Sequence, residues 1–115
     1  RGAKAFFQAS APLFAAVALD GTGDDRVVHK GVGSRRFRIT WEGPGGHSWS
    51  DFGGVNPIHA AAQAMAQLSA MPLSANPRTT LTVSRMGGGL AINAIPQAAW
   101  FEVDLRATAT ESLAR

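Results

Sequence analysis

The sequence predicts an α+β fold: a ferredoxin-like, split βαβ antiparallel sheet with helices on one face, preceded by a helix and strand of α/β type. Three observations carry this. From Arg35 to Glu42, and again in two later runs, apolar and polar side chains alternate, which marks strands with one buried and one wet face. An alanine-rich amphipathic helix separates the first alternating run from the second. The third run then follows the second with no helix between them.

Taken in order, residues 2–10 have helix-forming composition, with Ala3, Phe6 and Phe7 on one side, and Pro12 closes the segment. Residues 13–19 are a continuous apolar run ending at Asp20-Gly21-Thr22-Gly23, which predicts a buried strand of an α/β sheet. Asp20 would then stand at the carboxyl end of that strand, where such sheets place ligands. A turn-initiating Asp before Gly accounts for it as well. Residues 21–33, rich in Gly and Asp around residues 26–30, have the composition of a crossing between domains.

In residues 35–42, Phe37, Ile39 and Trp41 alternate with Arg36, Arg38, Thr40 and Glu42. After a glycine-rich turn, Asn56 supplies an N-cap and Pro57 the first helical position, where a missing N–H costs nothing. Ile58, Ala61, Ala62, Met65 and Leu68 form the apolar stripe, and Pro72 sets the helix's limit. Residues 79–86 follow as a strand with Leu81 and Val83 inward and Thr80, Thr82 and Ser84 outward, broken by Gly87-Gly88-Gly89. The last strand, residues 98–107, sets Phe101, Val103 and Leu105 against Trp100, Glu102, Asp104 and Arg106. Residues 110–115 read as a helix beginning. A second helix and a fourth strand would complete the unit beyond Arg115, and both chain ends fall inside helical patterns, so the sequence reads as a piece of a longer polypeptide.

Composition narrows the function. With 11 Lys and Arg against 8 Asp and Glu the net charge is only +3, and the basic residues are scattered apart from Arg35, Arg36 and Arg38. They lack the interleaved aromatics of single-strand binders, so no nucleic-acid partner is expected. No apolar run is long enough to span a bilayer and no stretch resembles a secretory leader, so no membrane partner is expected either. The absence of cysteine excludes a disulfide framework and thiolate metal sites and suits a cytoplasmic location.

The candidate site residues lie in Gly43-Pro44-Gly45-Gly46-His47-Ser48, Ala91-Ile92-Asn93-Ala94-Ile95-Pro96 and Asp104-Leu105-Arg106. His47 can donate to or accept from a substrate oxygen, Asn93 offers a donor and an acceptor, and Arg106 can grip a carboxylate through two parallel hydrogen bonds. The residues alone leave quieter readings open. His47 can be a loop histidine bonded locally, Asn93 turn chemistry, and Arg106 a solvated charge or a partner of Glu102 or Asp104. His59 reads as a surface or packing histidine and His29 lacks an evident partner. The triple glycine fails as a phosphate cradle, because it leads into no helix and carries no lysine. No complete metal-ligand set and no activated nucleophile is present.

As a set, these motifs resemble the dimerisation, or lid, domain of the dinuclear-zinc metallopeptidases and amidohydrolases that include glutamate carboxypeptidase, peptidase T, aminoacylase and succinyl-diaminopimelate desuccinylase. The helix opening Asn56-Pro57-Ile58 and the pair Thr79-Thr80 belong to the same resemblance. It implies that residues 1–25 are the helix and strand of a catalytic domain, 26–33 the crossing, and 34–115 an incomplete lid. It implies a homodimer in which His47 reaches the partner's active site and holds the scissile carbonyl oxygen, while Asn93 and Arg106 bind the substrate's polar and carboxylate groups. Asp20, in Ala18-Leu19-Asp20-Gly21, matches a metal-ligand position. The cofactor implied is a pair of zinc ions, with cobalt or manganese as substitutes, and the substrate a small peptide or N-acyl amino acid. The other ligands and the general-base glutamate fall outside this chain, so the isolated fragment is expected to be inactive. The competing expectation is a stand-alone ferredoxin-like module that homodimerises without catalysis. A third, an RNA-reading sheet, is discouraged by Glu102 and Asp104 on the wet face.

Overall fold

The computed structural model describes residues 2–9, 12–19, 25 and 27–114. Helix α1 covers Gly2–Ala9, as its composition predicts. Residues 12–19 form no strand, and Phe14 and Leu19 are 106% and 98% exposed. This corrects the buried strand expected at residues 13–19. A strand buried on both faces needs a ladder neighbour at each edge and a cover on each side, and the described residues supply neither. Asp20 lies outside the described residues.

The body of the fold is a three-stranded antiparallel sheet. Strand β1 (Gly33–Glu42) and strand β3 (Thr79–Gly88) flank strand β5 (Ala98–Ala107), in the order β1-β5-β3. The last strand in sequence is thus central, as a split βαβ unit requires. A short ribbon pairs β2 (Gly46–His47) with β4 (Ala94–Ile95). Helix α2 (Pro57–Ala70) crosses one face of the sheet, and a 3₁₀ turn, Thr110–Leu113, follows β5.

Each body element follows from its sequence. Asn56 caps α2 through Oδ1, which accepts from the N–H of Ile58 at 3.0 Å and of His59 at 3.3 Å. Its buried face is Ile58, Ala61, Ala64, Met65 and Leu68, while Ala62, expected in the stripe, is exposed. Opposite them lie Ala99, Phe101 and Val103 of β5, with Trp41, Leu81 and Val83 from the flanking strands. Phe101 is fully buried and its ring stands 5.1 Å from that of Trp41. Burying such a ring contributes about 1.5–3 kcal/mol.

The glycine triplet does not end β3, which continues through Gly88. A β-bulge between Val83 and Arg85 shifts the parity of the strand there. Before it Val83 faces Val103; after it Arg85 faces Glu102 and Gly87 faces Trp100. The extra residue turns Arg85 onto the open face of the sheet, where its guanidinium meets Glu102 at 3.1 Å.

Candidate functional site

The β2–β4 ribbon brings two of the sequence candidates together. His47 pairs with Ala94 in the ribbon, and Ser48 N–H donates to the Asn93 carbonyl at 3.0 Å. His47 and Asn93 are therefore neighbours, both exposed, although far apart in sequence. Glycine makes the approach to the ribbon possible. Gly45 has φ +75°, and a Cβ there would lie 2.6 Å from the Gln97 side chain. Gly43 N–H donates to the Gln97 carbonyl at 2.9 Å, which anchors the turn to the start of β5.

The orientation of the histidine ring is fixed locally. Nδ1 of His47 accepts from the Trp49 N–H at 3.2 Å, so in the neutral ring the proton sits on Nε2. The ring therefore presents an N–H donor on its far nitrogen. The backbone is held by a residue that sequence reasoning missed. Asp51 Oδ2 accepts from His47 N–H at 2.7 Å, and Asp51 N–H donates to the His47 carbonyl at 2.9 Å. The available signal was an aspartate four residues after a histidine in a glycine-rich turn.

Two clefts flank the ribbon. One, of about 610 Å³, lies between it and the Gly88–Gly89 turn and is lined by Leu90, Ile95 and Trp100 among others. The other, of about 540 Å³, is lined by Ser48, Phe52, His59 and Ile92 among others.

Arg106 lies elsewhere. It pairs with Ser34 and Thr80 at the far end of β5, about 26 Å along the strand from Ala98 at a rise of 3.3 Å per residue. Its Nε donates to Asp104 Oδ2 at 2.8 Å, the local partner that the sequence left open. Asp104 Oδ1 also accepts from Arg36 Nε at 3.4 Å. The hydrogen bond from Arg106 holds the Asp104 carboxyl below its ordinary value against the opposing pull of desolvation, helped by the Arg106 charge and by Arg36. Farther along the open face, Glu102 pairs with Arg38 at 2.9 Å and with Arg85 at 3.1 Å, and the Arg38 guanidinium lies 4.1 Å from the centre of a Trp100 ring. One chain thus presents His47 with Asn93 at one end of the sheet and Arg106 at the other.

Residues 29–115 match the model of the peptidase dimerisation domain. The chain belongs to this family. Among solved structures, the dimerisation domain is similar to the aminobenzoyl-glutamate utilization protein from Klebsiella pneumoniae, at 26% identity and a TM-score of 0.65 over 70% of this chain and 21% of that one. It shares its fold with a protein assigned as an aminohydrolase from methicillin-resistant Staphylococcus aureus, at 23% identity and a TM-score of 0.62, covering 72% of this chain and 22% of that one. It likewise shares it with one assigned as an amidohydrolase or peptidase from Burkholderia cenocepacia, at 19% identity and a TM-score of 0.66, covering 74% and 22%. The dimerisation domain described here thus spans about a fifth of the length of these structures. No curated protein matches it.

Among the described residues no three His, Cys, Asp or Glu side chains come together. The described residues therefore do not by themselves fit a dinuclear zinc site. No described helix is long and apolar enough to cross a membrane.

Proposed function

We propose that this dimerisation domain is the substrate-gripping lid of a cytoplasmic, zinc-dependent peptidase or amidohydrolase acting on small peptides or N-acyl amino acids, and that His47 serves the active site of the partner subunit. The observation that carries the reading is the ring held with Nε2–H as its free donor, beside Asn93 on an exposed ribbon. Such a donor can stabilise a carbonyl oxygen as negative charge develops on it, a contribution of about 10²–10³ in rate for one well-placed group. Arg106 keeps its two terminal nitrogens for a substrate carboxylate, because Asp104 engages only Nε. The Klebsiella protein, whose name refers to aminobenzoyl-glutamate, an amide of an amino acid, agrees with that substrate class.

Geometry argues for the arrangement in trans. A small substrate cannot touch both ends of β5 in one chain, whereas two copies related by a twofold axis can bring one end of each together. The edge of β3 that no described strand covers and the neighbouring groove lined by Met65, Ala66 and Leu81 suit pairing with a second copy.

Subunit mixing tests the proposal in the full-length polypeptide that carries this segment. His47→Ala and Arg106→Ala are each expected to be impaired. Mixed dimers should regain about a quarter of the wild-type activity, since half the dimers are hybrids with one of two sites intact. No gain over the separate variants would show that the two residues do not serve one site from different chains.

A further inference from the structure

We infer that Asp51 is a positioning residue for His47, fixing the backbone of the histidine and through it the direction of Nε2–H. The inference rests on the reading that His47 donates to a reacting carbonyl. Both peptide groups flanking the His47 Cα are tied to Asp51: the N–H to Oδ2 at 2.7 Å and the carbonyl to the Asp51 N–H at 2.9 Å. The first is short and charge-assisted, which places it among the stronger backbone contacts. The turn closed in this way, residues 48–50, carries the Trp49 N–H onto Nδ1 of the same histidine. Backbone, ring orientation and tautomer are therefore set by one small loop.

Gly46 is part of the same device. Its φ is +155°, and a Cβ there would stand 2.8 Å from Asp51 Oδ2 and 2.9 Å from Asp51 Cβ. Only glycine lets the carboxylate come this close beneath the strand. Asp51 also accepts from Gly54 N–H at 3.1 Å through its own carbonyl, which joins the histidine turn to the segment leading into the Asn56 cap of α2. The ribbon has only two residues on each strand, so its ladder cannot hold His47 in place alone. Asp51 supplies the missing constraint. Without it the Nε2–H can wander by an ångström or more, a displacement able to cost about 10²-fold in rate.

The experiment compares Asp51→Ala, Asp51→Asn, Asp51→Glu, His47→Ala and the double variant His47→Ala with Asp51→Ala, all in the full-length polypeptide. Asp51→Ala is expected to lower kcat by about 10–10²-fold with little change in KM. Asp51→Asn, which keeps an oxygen acceptor for the His47 N–H, should recover most of that loss. Asp51→Glu, with its carboxylate displaced by a methylene, should fall between. Added to His47→Ala, Asp51→Ala should cost nothing more, because its effect passes through the ring already removed. In mixed dimers, Asp51→Ala should be rescued by Arg106→Ala but not by His47→Ala. An Asp51→Ala loss that persists in full in the His47→Ala background, or a silent Asp51→Ala beside an impaired His47→Ala, overturns the inference alone. An unimpaired His47→Ala overturns the proposed function and this inference together.

Discussion

The three-stranded sheet and the β2–β4 ribbon hold their shapes in different ways. In the sheet, β5 is paired along its whole length with β1 and from Ala99 to Ala107 with β3, and its inner face meets α2 through Ala99, Phe101 and Val103. Many contacts share the load, and each can be weakened without changing the topology. In the ribbon two residues pair with two, and its shape rests on Gly45, Gly46, the Asp51 clamp and a few backbone bonds at its ends. Stability resides in the first region and orientation in the second. A substitution should therefore move one property or the other, seldom both.

The sharpest way to break this division is through the core. Phe101→Ala removes the one large ring among the described residues that has no exposed surface, and it should destabilise the fold by about 3–5 kcal/mol. That is a large share of the roughly 5–15 kcal/mol typical of a domain. Urea denaturation followed by tryptophan fluorescence reads it directly, since Trp41 packs on the lost ring. A loss below 1 kcal/mol would mean that the sheet is held chiefly by something other than this core.

Gly46→Ala tests the other side. The added methyl meets the Asp51 carboxylate and must displace either it or the strand. Because the ribbon can yield without the sheet, the urea midpoint should barely move, while the rate of hydrolysis proposed for the full-length polypeptide falls by about 10²-fold, as for a lost oxyanion donor. If stability falls as far as for Phe101→Ala and the rate per folded molecule does not, the ribbon belongs to the body and the division fails.

The same division explains what was legible in the sequence. β5 emerges at its observed bounds because period-two alternation over ten residues is hard to mistake, and α2 begins where Asn56 and Pro57 place it. The bulge in β3 was also written there, in the move of the apolar residues from Leu81 and Val83 to Met86, but a window that assumes unbroken alternation passes over it. The run at residues 13–19 misled, because apolar continuity predicts a buried strand only where neighbours exist to bury it. At the site, Gly46, His47 and Asn93 stood out as residue types, yet their meeting depends on strands too short to leave a period. Asp51 left only a faint signal, an aspartate four residues after a histidine, which is ordinary in a glycine-rich loop until the carboxylate is seen beneath the histidine backbone.

The open face of the sheet belongs to neither regime, and it yields the smallest expected effect. Asp104 is held below its ordinary value of 3.8, first by the hydrogen bond from Arg106 and then by the Arg106 charge and by Arg36, with desolvation opposing them. A carboxylate whose folded value is lowered adds stability that is complete above its unfolded value and fades as pH falls through the folded one. The contribution should therefore be constant from neutral pH to the upper edge of the carboxylate range and drain away only in stronger acid. Asp104→Asn should flatten that acid limb slightly, and salt should mask the difference, because the pairs are exposed and screened. Urea midpoints measured against pH for both proteins, at low and high salt, provide the test. Identical acid limbs at low salt would mean that the Asp104 pairs add nothing to stability. The contact between Asp104 and Arg106 would then matter only for the direction in which the guanidinium points, a property of orientation like the Asp51 clamp and unlike the core around Phe101.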